Sequence, residues 1–347
     1  MKNALDLTPA DWRETLSALG EPGFRSEQVF SWLHKGADFS GMGNLPAALR
    51  EKLSQSYNAH GVVIREKLVS RIDGTVKYLF ALHDGHVIEG VRMRYHHGDT
   101  LCISTQVGCR MGCAFCASTL DGCARNLTAG ELLGQIIAAN QDEPKIHNVV
   151  LMGSGEPLDN YDETVKFLRL LREKGGLEIS LRSVSLSTCG LVPPMRSLAE
   201  EGLPVTLSVS LHAPDDAIRR TLIPVARTYP MDELLAACRY YLDKTGRRII
   251  FEYALVDGVN CDPAHARALS KRLRGMQCHV NLIPLNPVPE HGLRGAAPAT
   301  VFAFEQALQA QNISVTIRRE MGRDIAGACG QLRRRHLQNT TKGSDAP

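Results

Sequence analysis

The sequence predicts an α/β fold, in which a small helical module and a β extension precede alternating strands and helices that build a parallel sheet or a full or partial barrel. Three observations lead there. Residues up to about 57 carry apolar side chains at helical spacing. Residues 65–95 change to a period of two, broken by Asp-Gly pairs. From residue 101 to 317, short β-branched runs alternate with helical patterns, and polar or cysteine-rich loops follow the runs.

In the helical module Val29, Trp32 and Leu33 share one face, and Leu45, Leu49 and Leu53 recur at four-residue steps. Stretches 65–69, 76–80 and 87–95 follow as strands, joined at Asp73-Gly74 and Asp84-Gly85, a pair type suited to hairpins. Alternation along the third strand puts Val87, Glu89, Val91, Met93 and Tyr95 on one face. A carboxylate in an apolar row is costly unless protonated or paired, which makes Glu89 a candidate acid or base; alternatively that face is wet, or Glu89 pairs with an arginine. Later strands are expected at 101–107, 148–152, 183–187, 205–211, 248–255, 279–283 and 314–317. Thr128 and Glu131 have capping-box spacing at the head of the first intervening helix, which turns Leu133, Ile136 and Ile137 inward. The chain thus divides into a helical module with a hairpin linker at 1–90, a core at 91–335 and a flexible tail at 336–347.

At 347 residues the chain is long enough for a full hydrophobic core without staples. Its 10 cysteines lack disulfide-framework spacing, and Met1-Lys2-Asn3-Ala4-Leu5-Asp6 lacks the apolar core of a signal peptide. The expected compartment is the cytoplasm, with thiols mostly reduced. No apolar run is long enough to span a bilayer, so no membrane role is expected. A net charge of +3 permits an acidic partner without requiring one.

The chemistry is concentrated in Cys109-Arg110-Met111-Gly112-Cys113-Ala114-Phe115-Cys116. Three thiolates this close can hold a metal or an iron–sulfur cluster with one coordination position left open, because a closed structural site takes four ligands. Burial as small apolar residues is one alternative; a closed zinc site with Cys123 as fourth ligand is another. Gly153-Ser154-Gly155-Glu156-Pro157-Leu158 follows the second core strand, and its glycines allow a ligand close to the backbone while Glu156 can accept from an ammonium group. It is not a dinucleotide fingerprint, since Leu158 stands where the third glycine belongs. Ser187 and Thr188, then Ser210-Leu211-His212, then Leu285-Asn286-Pro287 end later strands and suit one polar pocket. Cys102 and Cys329 stand where both could reach the barrel mouth, with burial as small residues the alternative for each, whereas Cys123, Cys189, Cys238, Cys261 and Cys278 read as structural.

The C-x3-C-x2-C run with Phe115 before its last cysteine resembles the signature of radical S-adenosylmethionine (SAM) enzymes. Glu89, the stretch from Cys102 to Cys109, the Gly153 to Leu158 loop, Ser210-Leu211-His212-Ala213 and Ala328-Cys329-Gly330-Gln331-Leu332 are similar to the RlmN-type RNA methyltransferases. The likeness extends from Glu21-Pro22-Gly23-Phe24-Arg25 to Leu332. It implies a partial (β/α)6-type radical SAM barrel with an RNA-binding N-terminal accessory domain. It also implies methylation at C2 of an adenine in the peptidyl-transferase centre of 23S rRNA, and in some bacteria of an adenine beside the tRNA anticodon. Cys109, Cys113 and Cys116 would ligate a 4Fe–4S cluster; Gly155, Glu156, Ser187, Ser210, Leu211, His212 and Asn286 would contact SAM, used twice per turnover. Cys329 would carry the methyl group, Cys102 would release the product by forming a disulfide with it, and Glu89 would accept the C2 proton.

The implied partners are 23S rRNA, tRNA, a flavodoxin- or ferredoxin-like electron donor and a thiol reductant, with the protein a monomer. Arg318, Arg319, Arg323, Arg333, Arg334 and Arg335 flank Cys329 as candidate phosphate contacts, and Arg25, Lys35, Arg50 and Lys52 of the helical module are further ones; the alternative is a solvated basic face. Ser154, where many members have methionine, and Cys123 depart from the pattern. The related branch that methylates C8 of the same adenine has alanine for the proline of Gly-Glu-Pro and often a cysteine before the glycine of the cluster run, so Pro157 and Val107 favour C2.

Overall fold

The computed structural model describes residues 1–143, 145–286 and 288–325. The helical module opens with a short strand β1 (Lys2–Asn3), followed by α1 (Pro9–Ala18), α2 (Arg25–His34) and α3 (Ala47–Ser56), and closes with β2 (Tyr57–Asn58), which pairs in parallel with β1. Thr8 and Asp11 form a reciprocal capping box at the head of α1, which turns Trp12 and Leu16 inward. Val29, Phe30 and Leu33 of α2, and Leu49 and Leu53 of α3, are buried in the same core cluster as the barrel residues Leu132, Phe251 and Phe304. Module and barrel are therefore packed as one body. Asp6 strengthens this joint by accepting from the Gly130 N–H at 2.6 Å, at the start of the first core helix.

The extension consists of β3 (Val62–Val69), β4 (Val76–Leu82) and β5 (Val87–Met93), consecutive antiparallel strands with Gly74 and Gly85 at positive φ in their turns. The core continues with β6 (Thr100–Cys102), β7 (Gln106–Gly108), β8 (Cys123–Asn126), α4 (Ala129–Asp142), β9 (Asn148–Leu151), α5 (Tyr161–Leu171), β10 (Val184–Thr188), α6 (Val192–Glu200) and β11 (Thr206–Ser210). It ends with α7 (Asp216–Leu222), α8 (Met231–Thr245), β12 (Ile249–Leu255), α9 (Pro263–Leu273), β13 (Cys278–Pro284), α10 (Pro298–Gln309) and β14 (Val315–Ile317). A single 10-stranded sheet runs β14-β13-β12-β11-β10-β9-β6-β5-β4-β3. Its strands are parallel from β14 to β6 and antiparallel from β6 to β3. The expected α/β partial barrel is thus present, and the extension is its edge: β5 crosses residue 90 and pairs directly with β6.

One expected strand is divided. Residues 101–107 give β6 and, after a break, β7, which leaves the main sheet and pairs with β8. The break has a hydrogen-bonding cause. Ser104 N–H donates to the Gln135 side chain at 2.9 Å, and the Thr105 and Gln106 N–H groups donate to the Ser154 carbonyl at 2.8 and 3.1 Å. These partners pull the backbone out of the ladder and towards the loop after β9. The capping box at Thr128 and Glu131 forms as expected, and α4 buries Leu132, Leu133, Ile136 and Ile137. Among the described residues no helix is long and apolar enough to cross a membrane.

His34, at the end of α2, gives the module a pH response. Its ring lies 4.0 Å from that of Phe30, its Nδ1–H donates to the Phe30 carbonyl at 2.9 Å, and burial pushes its pKa down from 6.5 to about 4. The unfolded chain takes up that proton first, so the stability tied to neutral His34 is complete above pH 6.5 and is lost as pH falls towards 4. Melting curves at pH 7.5 and 5 should therefore differ through this residue by about 2 kcal/mol, and His34→Leu should remove that difference. An unchanged pH dependence in the variant would place the titration elsewhere.

Candidate active site

The C-terminal ends of the parallel strands surround a cavity of about 320 Å³. Cys109, Cys113 and Cys116 line it from the loop between β7 and β8. That loop is shaped by contacts that only particular residues allow. A Cβ on Gly108 would sit 2.0 Å from the Gly122 carbonyl oxygen, and φ there is +85°. The Cys109 N–H donates to the same carbonyl at 2.8 Å, the Ala114 N–H donates to Leu222 of α7 at 2.9 Å, and the Thr119 hydroxyl donates to the Cys116 carbonyl at 2.8 Å. The first contact closes the two ends of the loop on each other, the last tightens it from within, and the second ties its middle to α7.

The thiols fit a cluster better than a single ion. Among the described residues no three His, Cys, Asp or Glu side chains converge on a point that could hold one metal ion. A cluster does not ask for such a point, because each thiolate binds a different iron. Burial pushes the Cys109 thiol up to about 12 and the Cys113 thiol higher still, and the neighbouring anionic groups act in the same direction. Three anions in this pocket need cationic irons to hold them deprotonated. Cys123 sits on β8 outside the cavity lining, its sulfur 3.8 Å from the Arg125 carbonyl oxygen.

Opposite the thiols lies the loop after β9. Gly155 has φ +106°, and a Cβ there would be 2.7 Å from the Gln106 nitrogen, so the loop lies directly on β7. Glu156 is buried, which raises its pKa; its two carboxylate oxygens accept from the Leu158 N–H at 3.1 Å and the Cys189 N–H at 2.7 Å. The Cys189 and Thr188 side chains also lower its pKa by hydrogen bonding, and a cationic ligand would further offset the cost of burial. Ser187, Ser210, His212 and Asn286 complete this wall. His212 holds φ +53°, a conformation unusual for a side-chain-bearing residue. The strain is borne by its bonds: Nδ1 accepts from the Ala254 N–H at 2.8 Å, and its carbonyl accepts from Asn260 at 2.7 Å. Burial pushes its pKa down to about 3, so the ring is neutral and presents Nε2–H as a donor, with the Phe115 ring edge-on at 4.7 Å.

Leu211 differs from its neighbours. Its side chain belongs to the main core and does not line the cavity, while its N–H donates to the Glu252 carbonyl at 3.1 Å.

Cys102 lines the cavity at the end of β6 and packs with Val91, Met93 and Met321. Opposite it in the ladder is Val91, so Glu89 is its diagonal neighbour on the same sheet face. Glu89 does not itself line the cavity. It is 4% exposed and forms an ion pair with Lys77 of β4, Nζ to Oε2 3.2 Å. The face is therefore dry at Glu89, and among the described residues a lysine pairs with it.

Beyond β14, Arg318, Arg319, Glu320 and Met321 also line the cavity. The chain is then gripped by the turn between β3 and β4. Gly322 N–H donates to Asp73 at 2.9 Å, and Asp324 accepts from the Ser70 hydroxyl at 2.6 Å and the Arg71 N–H at 2.8 Å. Cys329, Arg333, Arg334, Arg335 and the tail at 336–347 lie outside the described residues.

Three participants escaped the sequence reading. Cys189, read as structural, lines the cavity and holds Glu156 through its N–H; its place directly after Ser187-Thr188 at a strand end was the signal that could have found it. Glu252 is a buried carboxyl on the cavity wall that accepts from Asn281 at 2.8 Å. Arg219 of α7 is wholly buried and donates to the Cys189 carbonyl at 2.7 Å. Neither Glu252 nor Arg219 carried a sequence signal, because an isolated charge in an amphipathic stretch looks solvated.

Two family models match the chain, one described as the ribosomal RNA large subunit methyltransferase N-terminal domain, over residues 2–58, and one as the radical SAM superfamily, over residues 103–267. The chain is 52% identical over 337 residues to a protein of Alkaliphilus oremlandii named "Probable dual-specificity RNA methyltransferase RlmN", covering 96% of this chain and 98% of the relative. A protein of the same name from Clostridium tetani is 48% identical over 344 residues, covering 99% of each. A crystal structure of a radical SAM methyltransferase from Sphaerobacter thermophilus superposes with a TM-score of 0.92 at 43% identity, covering 95% of this chain and 99% of that one. Matched at this identity over nearly its whole length, the chain belongs to the RlmN family of radical SAM RNA methyltransferases.

Proposed function

We propose that this protein methylates C2 of an adenine in 23S rRNA, and of an adenine beside the tRNA anticodon, through a methyl group carried on Cys329. It is a SAM-dependent RNA methyltransferase of the radical SAM superfamily, with SAM and a 4Fe–4S cluster as cofactors. The observation that carries the finer reading is the cavity at the strand ends, where the three-thiol loop, the Glu156 loop and Cys102 face one space. Relatives named dual-specificity RNA methyltransferases support both RNA substrates. Pro157, which lines the cavity, and buried Val107 favour C2 over C8.

Cys109, Cys113 and Cys116 would hold the cluster, leaving its fourth iron for SAM. When bound, the cluster supplies the electron that splits SAM and so opens the radical route that C2, an electron-poor carbon, requires. Glu156 would accept the SAM ammonium, Gly155 would let the cofactor lie close to the backbone, and Ser187, Ser210, Asn286 and the Nε2–H of His212 would hold its polar edges. Leu211 contributes by backbone alone, since its side chain faces the core. Cys329 would receive its methyl group from one SAM and would lose a hydrogen from it through the radical route opened with a second, a use of two per turnover. Glu89 would take the C2 proton once the methylene carbon is joined to C2, and the unpaired electron of that adduct would pass back to the oxidised cluster, which restores the aromatic ring. The Cys102 thiolate then attacks the Cys329 sulfur; the sulfur–carbon bond breaks with its electron pair going to carbon, which takes up a proton, and the new disulfide is returned to thiols by a cellular reductant. A flavodoxin- or ferredoxin-like protein would supply the cluster's electron. Residues 1–90 would serve as the RNA-binding accessory unit and 91–335 as the catalytic core.

Anaerobic reconstitution followed by reductant, labelled SAM and an rRNA or tRNA fragment tests this directly. Methyl at C2 is the expected result; methyl at C8, or deoxyadenosine formed without RNA methylation, overturns it. In Cys102→Ala, Cys329 should still become methylated while the RNA stays covalently attached to protein, seen as a shifted band that retains labelled RNA. Free product at the native rate would remove Cys102 from the release step. Arg318 and Arg319 are exposed at the cavity, where the RNA backbone must approach. Replacing both with Gln should lower the slope of log affinity against log salt by about 2, and an unchanged slope would take these side chains off the phosphates.

A further inference from the structure

The thiol loop rests on a helix that carries a buried charge. Leu222, the last residue of α7, and Ile223 after it pack with Met111, Cys113 and Phe115, and the Ala114 N–H donates to the Leu222 carbonyl at 2.9 Å. Arg219 precedes them by three and four positions, so its side chain leaves the same face of the helix. It is 0% exposed. Its Nη2 donates to the Cys189 carbonyl at 2.7 Å and, at 3.4 Å, to the Ser210 carbonyl. Nε and Nη1 are buried with no hydrogen-bond partner among the described residues. Asp216 acts on Arg219 electrostatically, but its Oδ1 already accepts from the Met231 N–H at 2.8 Å. Cys113, on the thiol side, and Arg219 act on each other in the same way.

We propose that Arg219 is a positioning residue that acts through the thiol loop: its buried charge raises the reduction potential of the cluster held by Cys109, Cys113 and Cys116, a role that rests on the reading of those thiols as cluster ligands. A guanidinium keeps its proton inside a protein, and away from water it needs an anion nearby. Two carbonyls alone do not call for a full charge, since any neutral donor would satisfy them. The step concerned is the entry of one electron from the flavodoxin- or ferredoxin-like donor. No bond forms or breaks, and the net charge of the cluster becomes more negative by one. A fixed positive charge behind the loop stabilises the product of that step more than its starting state, and net charge and surroundings are what set such potentials.

The test uses the full chain, reconstituted anaerobically and without RNA, as native protein, Arg219→Gln and Arg219→Lys. Iron content is measured, and the reduced cluster is followed by electron paramagnetic resonance during a potentiometric titration. Arg219→Gln keeps a donor for the Cys189 carbonyl without charge, whereas Arg219→Lys keeps both. In Arg219→Gln the equilibrium constant for reduction should fall about tenfold, equal to about 59 mV for one electron, while Arg219→Lys stays within about threefold of native. An unchanged or higher potential in Arg219→Gln, or an equal fall in Arg219→Lys, overturns the proposal. The two readings fail separately. A native chain that holds no cluster on these cysteines sinks the ligand assignment and the proposal with it; a native chain that loads, beside an Arg219→Gln chain of native potential, removes only the role of Arg219. Should Arg219→Gln not load, melting of Arg219→Met decides. Without cluster it should be no less stable than the native apoprotein, because a buried charge without an ion-pair partner has gone, and its rise in melting temperature on reconstitution should be smaller than native. A less stable apoprotein, or a native rise on loading, overturns the proposal.

Discussion

Anionic groups withdrawn from water need cations close by, and the cavity at the strand ends is arranged around that requirement. Cys109 and Cys113 are held well above their ordinary titration range by burial, and Glu156 and Glu252 are raised for the same reason. The compensating charges come from different sources. Lys77 is supplied by the fold and sits against Glu89. Cluster irons at the thiols and the ammonium of SAM at Glu156 would be supplied by the cofactors. A site built this way is complete only when loaded, which ties cofactor binding to the electrostatics of the pocket.

The sheet explains how residues far apart in sequence come to act together. Its parallel part delivers strand ends to one side, as expected of βα units. Its antiparallel edge brings Lys77 and Glu89 beside Cys102 and supplies Val91 and Met93 to the cavity wall, so the extension borders the cavity as well as linking the module to it. The turn at the far end of β3 and β4 then grips Gly322 and Asp324, the stretch that leads towards Cys329. The helical module enters the same arrangement through a shared core and the Asp6 contact at the head of α4. Parts drawn from both ends of the chain are thereby referred to one sheet.

Much of this was legible in the sequence because its signals are local. Helical spacing in the first module, the Asp-Gly turns, and the capping box at Thr128 each involve residues a few positions apart, and each formed. The cysteine run is local too, with its three thiols inside eight residues. The expected strand at 101–107 failed because its competitors were remote: Gln135 and Ser154 capture the Ser104, Thr105 and Gln106 N–H groups. Cys189, Glu252 and Arg219 were missed for a related reason, as their roles depend on partners in other elements.

Sequence alone determined the order of elements, the α/β class, the thiol loop and the family resemblance, because periodicity and short motifs are properties of neighbouring residues. It also placed Glu89 in an apolar row, with wet, paired and protonated readings left open. Only the tertiary structure decided among those, since the partner of Glu89 is the Nζ of Lys77 on the adjacent strand, and strand register is set by packing across the whole sheet. Leu211 illustrates the same limit: it stands between two cavity residues in sequence, and just past the end of β11 its side chain enters the core.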